Sequence, residues 1–408
     1  MKPIKREFTA GIKQLLHNFP CVVVLGARQT GKTTLLRQVL PDAPIFDLER
    51  TGDYERITAD PLFFLNSNPL PLLIDEAQLC PELFSAIRVK IDEDRGRNGQ
   101  FLLSGSSSPE LLKNVSESLA GRVAIVELSG FSWSEAARTK PSRIYQLLNT
   151  QDCDFQKLQP VHTLDKLYEL CFYGGYPDPY LARKKVGYTD LWCENYLSTY
   201  LHRDIRRLFP GLKAETYKRF IKMMSFSSGE TINASEFARS LDVSQPTAKN
   251  YFDIAQGTYF WRIIPSYQKS RKKRLVKMPK GHLRDTGLIT HLLNIPRIQD
   301  LKNHPKFGAI WETFIIEQLI KNLQSNLIRF DYYYYRTADQ SEVDLVLEGK
   351  FGLIPIEIKT GLYRGKEQIK GLINFVAEYD CKLGILINNE SEIVKLTENI
   401  YQIPAVFW

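Results

Sequence analysis

Apolar residues along this chain alternate between two rhythms. Short unbroken runs end in polar residues, and between them lie stretches with apolar positions at helical spacing. Val22–Leu36 (VVVLGARQTGKTTLL) reads as a buried strand, a glycine-bracketed loop and the start of a helix that Pro41 stops. PIFDLE at 44–49, PLLID at 71–75 and GQFLLSGSSS at 99–108 read as further strands, with helical patterns between them. Strands alternating with helices predict an α/β fold with a parallel sheet over residues 1–145. Residues 146–230 read as helical, with FYGGYPDPYL (172–181) as a turn cluster and a helix over 192–210 ending at Pro210. TINASEFARSLDVSQPTAKNYFDIAQ then reads as helix, tight turn, helix, followed by strands in TYFWRIIPSY and RLVKMPKGHL. That is a winged-helix pattern over 231–298. From 299 to 408 a second α/β unit follows: an amphipathic helix at 307–323, then three strands within 328–361.

The loop after the first strand carries the most specific chemistry. Gly26, Ala27, Arg28, Gln29, Thr30, Gly31, Lys32 and Thr33 form the phosphate-cradling pattern G-x-x-x-x-G-K-[ST], continued by Thr34. Its N–H groups and the helix N-terminus favour phosphate oxygens. Lys32 brings a charge to the outer phosphates of ATP, and Thr33 offers a hydroxyl to Mg2+. Asp75, 43 residues after Lys32, ends an apolar strand and is placed to hold Mg2+. Glu76 is placed to polarise the attacking water. Ser104, with Ser106, ends the next strand and reads either as a sensor of the outermost phosphate or as a turn cap. Arg122 in Ser-Leu-Ala-Gly-Arg reads either as an arginine finger reaching a neighbour's nucleotide, which requires a homo-oligomer, or as an internal salt bridge. Arg6, before the first strand, reads foremost as a solvated surface residue, with a place facing the nucleotide as the alternative.

Charge adds a second theme. The formal net charge is +8 over 408 residues, a mild tilt toward an anionic partner. Its densest focus is the predicted wing, with Lys269, Arg271, Lys272, Lys273, Arg274, Lys277 and Lys280 and no acid between them. Beside a recognition helix such a patch suits DNA phosphates; a solvated charge run or a protein contact is the alternative. The six cysteines are scattered, without C-x-x-C pairs, and read as reduced buried thiols. No apolar run reaches about 18 residues, so neither a membrane span nor membrane association is expected, and a cytoplasmic location follows.

In the last unit, Asp344 begins one strand and Glu357-Ile-Lys359 lies on the next. Alternate strand residues share a face, so Glu357 and Lys359 point together toward Asp344. Asp344 and Glu357 would hold Mg2+ or Mn2+, Lys359 would position or help deprotonate the attacking water, and Glu312 would add a metal contact. Strand-edge salt bridges are the alternative reading.

Two resemblances extend these readings. GARQTGKTTLL, LLIDEAQLCPEL, FLLSGSSSPELL and SESLAGRV, in that order, resemble a prokaryotic family of AAA+-type P-loop ATPases carrying a C-terminal DUF4143 domain. Ser104 stands where that family often has Thr. The resemblance implies an ATPase core that binds ATP and Mg2+. The 299–408 unit resembles the PD-(D/E)xK nuclease core, with Ser-Glu-Val-Asp in place of a Pro-Asp pair. Together they imply an ATPase acting on duplex or branched DNA; an ATP-driven protein-binding switch with a catalytically silent nuclease-like domain is the alternative.

Overall fold

The computed structural model describes residues 3–106, 115, 117–150, 154–205, 209, 211–268, 278–337 and 341–408. They form two compact units, one of residues 1–131 with the short pieces 257–259 and 324–326, the other of 132–256, 260–323 and 327–408.

The first unit is built on a five-stranded sheet in the order β2-β3-β4-β1-β5, where β1 is Cys21–Gly26, β2 Ile45–Asp47, β3 Leu72–Asp75, β4 Phe101–Ser106 and β5 Val123–Glu127. All of its pairings are parallel. β1 and β3 are buried along their whole length, which explains why they read as continuous apolar runs instead of alternating ones. β1 lies between β4 and β5 while β2 lies beyond β3, so the chain reverses direction across the sheet beside β1. At such a switch point the carboxyl ends of the strands open a crevice for ligands. The register fixes who lines it: Gly26 pairs with Ser106 and Val24 with Ser104, and Asp47 pairs with Asp75.

The second unit holds two sheets. A three-stranded antiparallel sheet runs β6-β8-β7, with β6 Glu230–Thr231, β7 Trp261–Ile264 and β8 Lys280–Leu283. Between β6 and β7 lie the helices Ala234–Leu241 and Gln245–Gly257. Asn233 caps the first through its side-chain oxygen, and Asp242 ends it in the left-handed region. Ser244 Oγ accepts from Thr247 N at 3.2 Å, capping the second. The other sheet has six strands in the order β13-β14-β12-β11-β10-β9. Phe330–Arg336 (β9), Glu342–Gly349 (β10) and Gly352–Ile358 (β11) form an antiparallel meander, and Gly384–Ile387 (β12) adds to β11 in parallel. Val394–Lys395 (β13) and Ile400–Gln402 (β14) complete it. The helix Phe307–Ser325 is largely buried.

The tight Gly/Pro/aromatic cluster at 172–181 has a clear physical cause. Gly174 sits at φ 75°, and a Cβ there would lie 2.1 Å from Asp285 Oδ1. Asp285 receives the Gly175 N–H at 2.8 Å and caps the helix Thr286–Leu292. The 192–210 helix departs from expectation: Tyr188–Thr199 is α-helical, but Tyr200–Ile205 widens into a π-helix while Tyr196, Tyr200 and Phe260 stack in a row.

Candidate nucleotide site and a second buried cluster

The loop between β1 and the helix Lys32–Val39 has the shape its sequence requires. Gly31, at φ 89°, turns the chain into the helix. At Gly26 a Cβ would lie 2.2 Å from the Leu128 carbonyl oxygen, so only glycine lets the loop pass that close. Thr30 Oγ1 donates to the Ala27 carbonyl at 2.9 Å and tightens the turn. Lys32 is buried, and its Nζ donates to the carbonyls of Gly26 at 3.2 Å and Ala27 at 3.0 Å. Gln29 takes a positive φ of 61°, and Arg28 pairs with Glu49. Thr34 lies exposed in the first helical turn.

The acidic side of the site is equally well defined. Thr33 Oγ1 hydrogen bonds to Asp75 Oδ2. Glu76 adopts the left-handed conformation, φ 54°, a strained position for a residue with a side chain. That turn aims its carboxylate at β4, where Ser106 Oγ donates to Oε1 at 3.1 Å and Ser106 N to Oε2 at 3.4 Å. Gln78 Nε2 also donates to Oε2. Burial raises the Glu76 carboxyl, but the Lys32 charge, the bonds from Gln78 and Ser106 and the Arg28 charge outweigh it, leaving the group below its ordinary range. Glu76 is therefore ionised at neutral pH, as a group that orients or deprotonates water must be.

The structure corrects two sequence expectations here. Ser104 is fully buried and its hydroxyl bonds Asp75 Oδ1, so it braces that carboxylate and caps no turn. Ser106, two residues on, is the serine beside Lys32, with Nζ to Oγ at 3.4 Å. Arg6 is not a solvated surface residue: it is 4% exposed, and it donates to the carbonyls of Thr30 at 2.7 Å and Ser129 at 2.7 Å. It ties the phosphate loop to the segment after β5. Its signal in sequence was absent, because its partners lie 24 and 123 residues away. Arg122 sits at the start of β5, its guanidinium gripped by Asp92 at 2.9 and 3.0 Å. The two residues line an open cavity of about 530 Å3 with Arg88, Glu93 and Glu117.

These groups fit MgATP. The loop supplies a phosphate cradle closed to any Cβ at Gly26, Lys32 supplies the cation, and Thr33 with Asp75 supplies the oxygens a magnesium ion prefers.

The second unit presents a different cluster. Sequence position groups Lys280 with the basic wing; the structure instead buries it at 4% exposure. Its ammonium contacts Glu312 Oε1 at 3.1 Å, pairs with Glu342 and approaches Asp344 Oδ1 at 4.0 Å. The remaining basic residues of that patch, Lys269, Arg271, Lys272, Lys273, Arg274 and Lys277, lie outside the described residues. Asp344 Oδ2 accepts from Ile358 N at 2.7 Å, and Lys359 pairs with Glu357. So Asp344, Glu357 and Lys359 of the strand pattern lie close together with Glu312 of the helix Phe307–Ser325, and Lys280 and Glu342 join them. Glu342 was legible, since it shares a strand face with Asp344 by period two; Lys280 was not.

Charge here is balanced internally. Burial lowers the Lys280 ammonium, but Glu312, Asp344 and Glu342 outweigh it and hold it raised, so it stays charged. Burial, then Asp344, pushes Glu312 up to about 8. Burial, then Asp344, also raises Glu357 well above its ordinary value, against the pull of the Lys359 charge. Its Oε2 has no hydrogen-bond partner among the described residues. This set does not fit a divalent metal. An ammonium stands among the carboxylates, most of their oxygens are committed, and among the described residues no group of three or more His, Cys, Asp or Glu is arranged to hold a metal ion.

Comparison with known proteins places these features in context. Residues 18–137 match the family model described as an AAA domain, residues 164–299 a domain of unknown function (DUF8612), and residues 307–408 a domain of unknown function (DUF4143). The uncharacterised proteins Rv2008c of Mycobacterium tuberculosis and Mb2031c of Mycobacterium bovis are each 35% identical over 346 residues, 84% of this chain and 71% of theirs. Among solved structures, a Walker-type ATPase of Pyrococcus abyssi is similar at 14% identity and a TM-score of 0.44, over 71% of this chain and 96% of that one. The RuvB Holliday junction branch migration motor of Thermotoga maritima is similar at 16% identity and a TM-score of 0.30, over 64% of this chain and 90% of that one. Among the described residues no helix is long and apolar enough to cross a membrane.

Proposed function

The chain belongs to the P-loop AAA-domain ATPases that carry a C-terminal DUF4143 domain, and from that premise we propose that it hydrolyses ATP with Mg2+ and spends the cycle on DNA, as a cytoplasmic homo-oligomer. One observation carries the catalytic part: Lys32, Ser106 and Glu76 form a continuous hydrogen-bonded path from the phosphate cradle to a strained carboxylate. In this reading the loop N–H groups and Lys32 bind and orient the phosphates. Glu76 orients the attacking water and accepts its proton, and Ser106 fixes the Glu76 oxygens relative to Lys32. Thr33 and Asp75 would hold Mg2+, which neutralises charge on the phosphates. Arg122 acts in trans from a neighbouring subunit, released from Asp92 on assembly.

DNA is the proposed partner because the segment 269–277 carries six cations without an acid and lies between β7 and β8 of a winged-helix-like unit. The test is the ATPase rate with and without duplex, single-stranded and branched DNA, alongside binding at several salt concentrations. Stimulation and a steep salt dependence are expected; unchanged turnover with no salt-sensitive binding overturns the DNA reading. A second reading, an ATP-driven switch that binds a protein partner, is favoured by the self-neutralised cluster around Lys280. Metal-dependent cutting by the nuclease-like domain is left out of both, because the cluster does not fit a metal.

A further inference from the structure

The cluster around Lys280 holds a positive charge of its own in a pocket of carboxylates, and its makeup says what that charge does. Three carboxylates from two separate elements converge on one point: Glu312 from the helix Phe307–Ser325, and Glu342 and Asp344 from β10. Carboxylates this close repel one another, and a cation among them relieves that repulsion. The cation present is an amino group delivered by β8, a strand of the other sheet. We infer that Lys280 is the resident cation of this site, taking the place a divalent metal would occupy and pinning the β7–β8 hairpin to the C-terminal sheet.

A second set of contacts, independent of charge, reports the same junction. Tyr334 of β9 donates its hydroxyl to the Met278 carbonyl at 2.5 Å, just before β8. Tyr334 N donates to the Pro265 carbonyl at 3.0 Å, and Tyr267 N to the Tyr334 carbonyl at 2.6 Å, just after β7. The hairpin is thus fastened through Tyr334 at both arms, by backbone after β7 and by the side-chain hydroxyl before β8, and Lys280 is delivered into the acids by a strand that cannot easily swing away. A divalent ion added beside this ammonium would meet a like charge that already engages the acids, and Asp344 Oδ2 is already taken by the Ile358 N–H. The nuclease-like residues are therefore kept as a charge-balanced cross-link between the two sheets. This inference is independent of the ATP and DNA reading, since it concerns the chain without nucleotide or nucleic acid.

The test counts bound Mn2+ by electron paramagnetic resonance in the nucleotide-free full chain, in an Asp75→Asn background that removes the candidate nucleotide-site metal. In that background, adding Asp344→Asn is expected to leave the count unchanged, because no metal depends on Asp344. Adding Lys280→Met is expected to create a Mn2+ site that Asp344→Asn then abolishes, and to give a melting temperature that rises with Mn2+. An Asp344-dependent Mn2+ in the chain that retains Lys280 overturns the inference, as does a folded Lys280→Met chain that gains no site. If Lys280→Met does not fold even with Mn2+, the comparison of Asp344 with Asn in the Lys280 chain decides alone.

Discussion

Ser106 Oγ lies 3.4 Å from Lys32 Nζ and 3.1 Å from Glu76 Oε1, so one hydroxyl joins the phosphate-directed cation to the carboxylate that faces it. The parallel register of β1 and β4 produces this junction by setting Ser106 beside Gly26. Ser104 points the same way by strand period but lies one step deeper, where it meets Asp75. The two serines therefore separate in experiment. Ser106→Ala is expected to lower kcat about tenfold through loss of one orienting hydrogen bond, with little change in melting temperature. Ser104→Ala is expected to destabilise the fold by about 1–3 kcal/mol, because it strips a partner from a buried carboxylate. Steady-state kinetics and thermal melts on both variants check this; equal kinetic losses would dismiss the distinction.

Lys32→Ala is expected to abolish ATP binding, and Glu76→Gln to retain it while lowering turnover by about 10²–10⁴-fold. The difference follows from position. Lys32 bridges the cradle carbonyls, whereas Glu76 reaches across from the end of β3 and touches the reaction through water. Calorimetric ATP binding together with phosphate release measures both, and an unchanged ATP affinity in Lys32→Ala would refute the phosphate-loop reading.

Arg122 is held by Asp92 in an ion pair that is partly exposed on both sides. Surface pairs of this kind add little to stability, so Arg122→Ala is expected to leave the melting temperature nearly unchanged. If the side chain serves a neighbour's nucleotide, turnover falls by about 10³-fold or more while ATP binding holds. Mixing Arg122→Ala with Glu76→Gln chains is then expected to recover part of the activity, because some interfaces combine an intact Glu76 with an intact Arg122. Full turnover in Arg122→Ala alone rules the finger out.

Acid stability of the second unit is expected to depend on His282. Burial first, then the Lys280 and Arg262 charges, hold its imidazole down to about 3, against an opposing pull from Glu317. The folded chain keeps His282 neutral, with Nδ1 2.9 Å from Thr313 Oγ1, while the unfolded chain protonates it below its ordinary value of 6.5. A depressed imidazole value means that stability is lost as pH falls from about 6.5 toward 3, at a slope approaching about 1.4 kcal/mol per pH unit. Urea unfolding across that range checks it: His282→Gln is expected to flatten the profile, and an unchanged slope would remove His282 as its source.

A neighbouring network tests the same interior by charge instead of pH. Glu317 is buried between Arg262 and Arg284, whose charges outweigh burial and hold its carboxyl down to about 2. Glu317→Gln is expected to cost about 3–5 kcal/mol, since it leaves two buried guanidinium groups short of their countercharge. A loss below about 1 kcal/mol in denaturant melts would show that solvent or a rearranged partner compensates.

The sequence by itself determined the features that depend on local backbone and strand period. Gly26 and Gly31 announced the phosphate loop because a Cβ would collide with the Leu128 carbonyl at the first and the backbone turns left-handed at the second. Asp75 and Glu76 were legible because a buried apolar strand ends at them, and Glu357 and Lys359 because β11 runs in extended period-two geometry up to Ile358, one residue short of Lys359. Only tertiary structure decided which partner each polar group found. It chose Ser106 over Ser104 through a strand register, and turned Arg6 from a surface residue into a brace on the Thr30 carbonyl. It also took Lys280 from a run of cations and buried it against acids 32 and more residues away. Those outcomes turn on Coulomb attraction and desolvation between groups far apart in the chain, and a local pattern of residues carries no record of such distances.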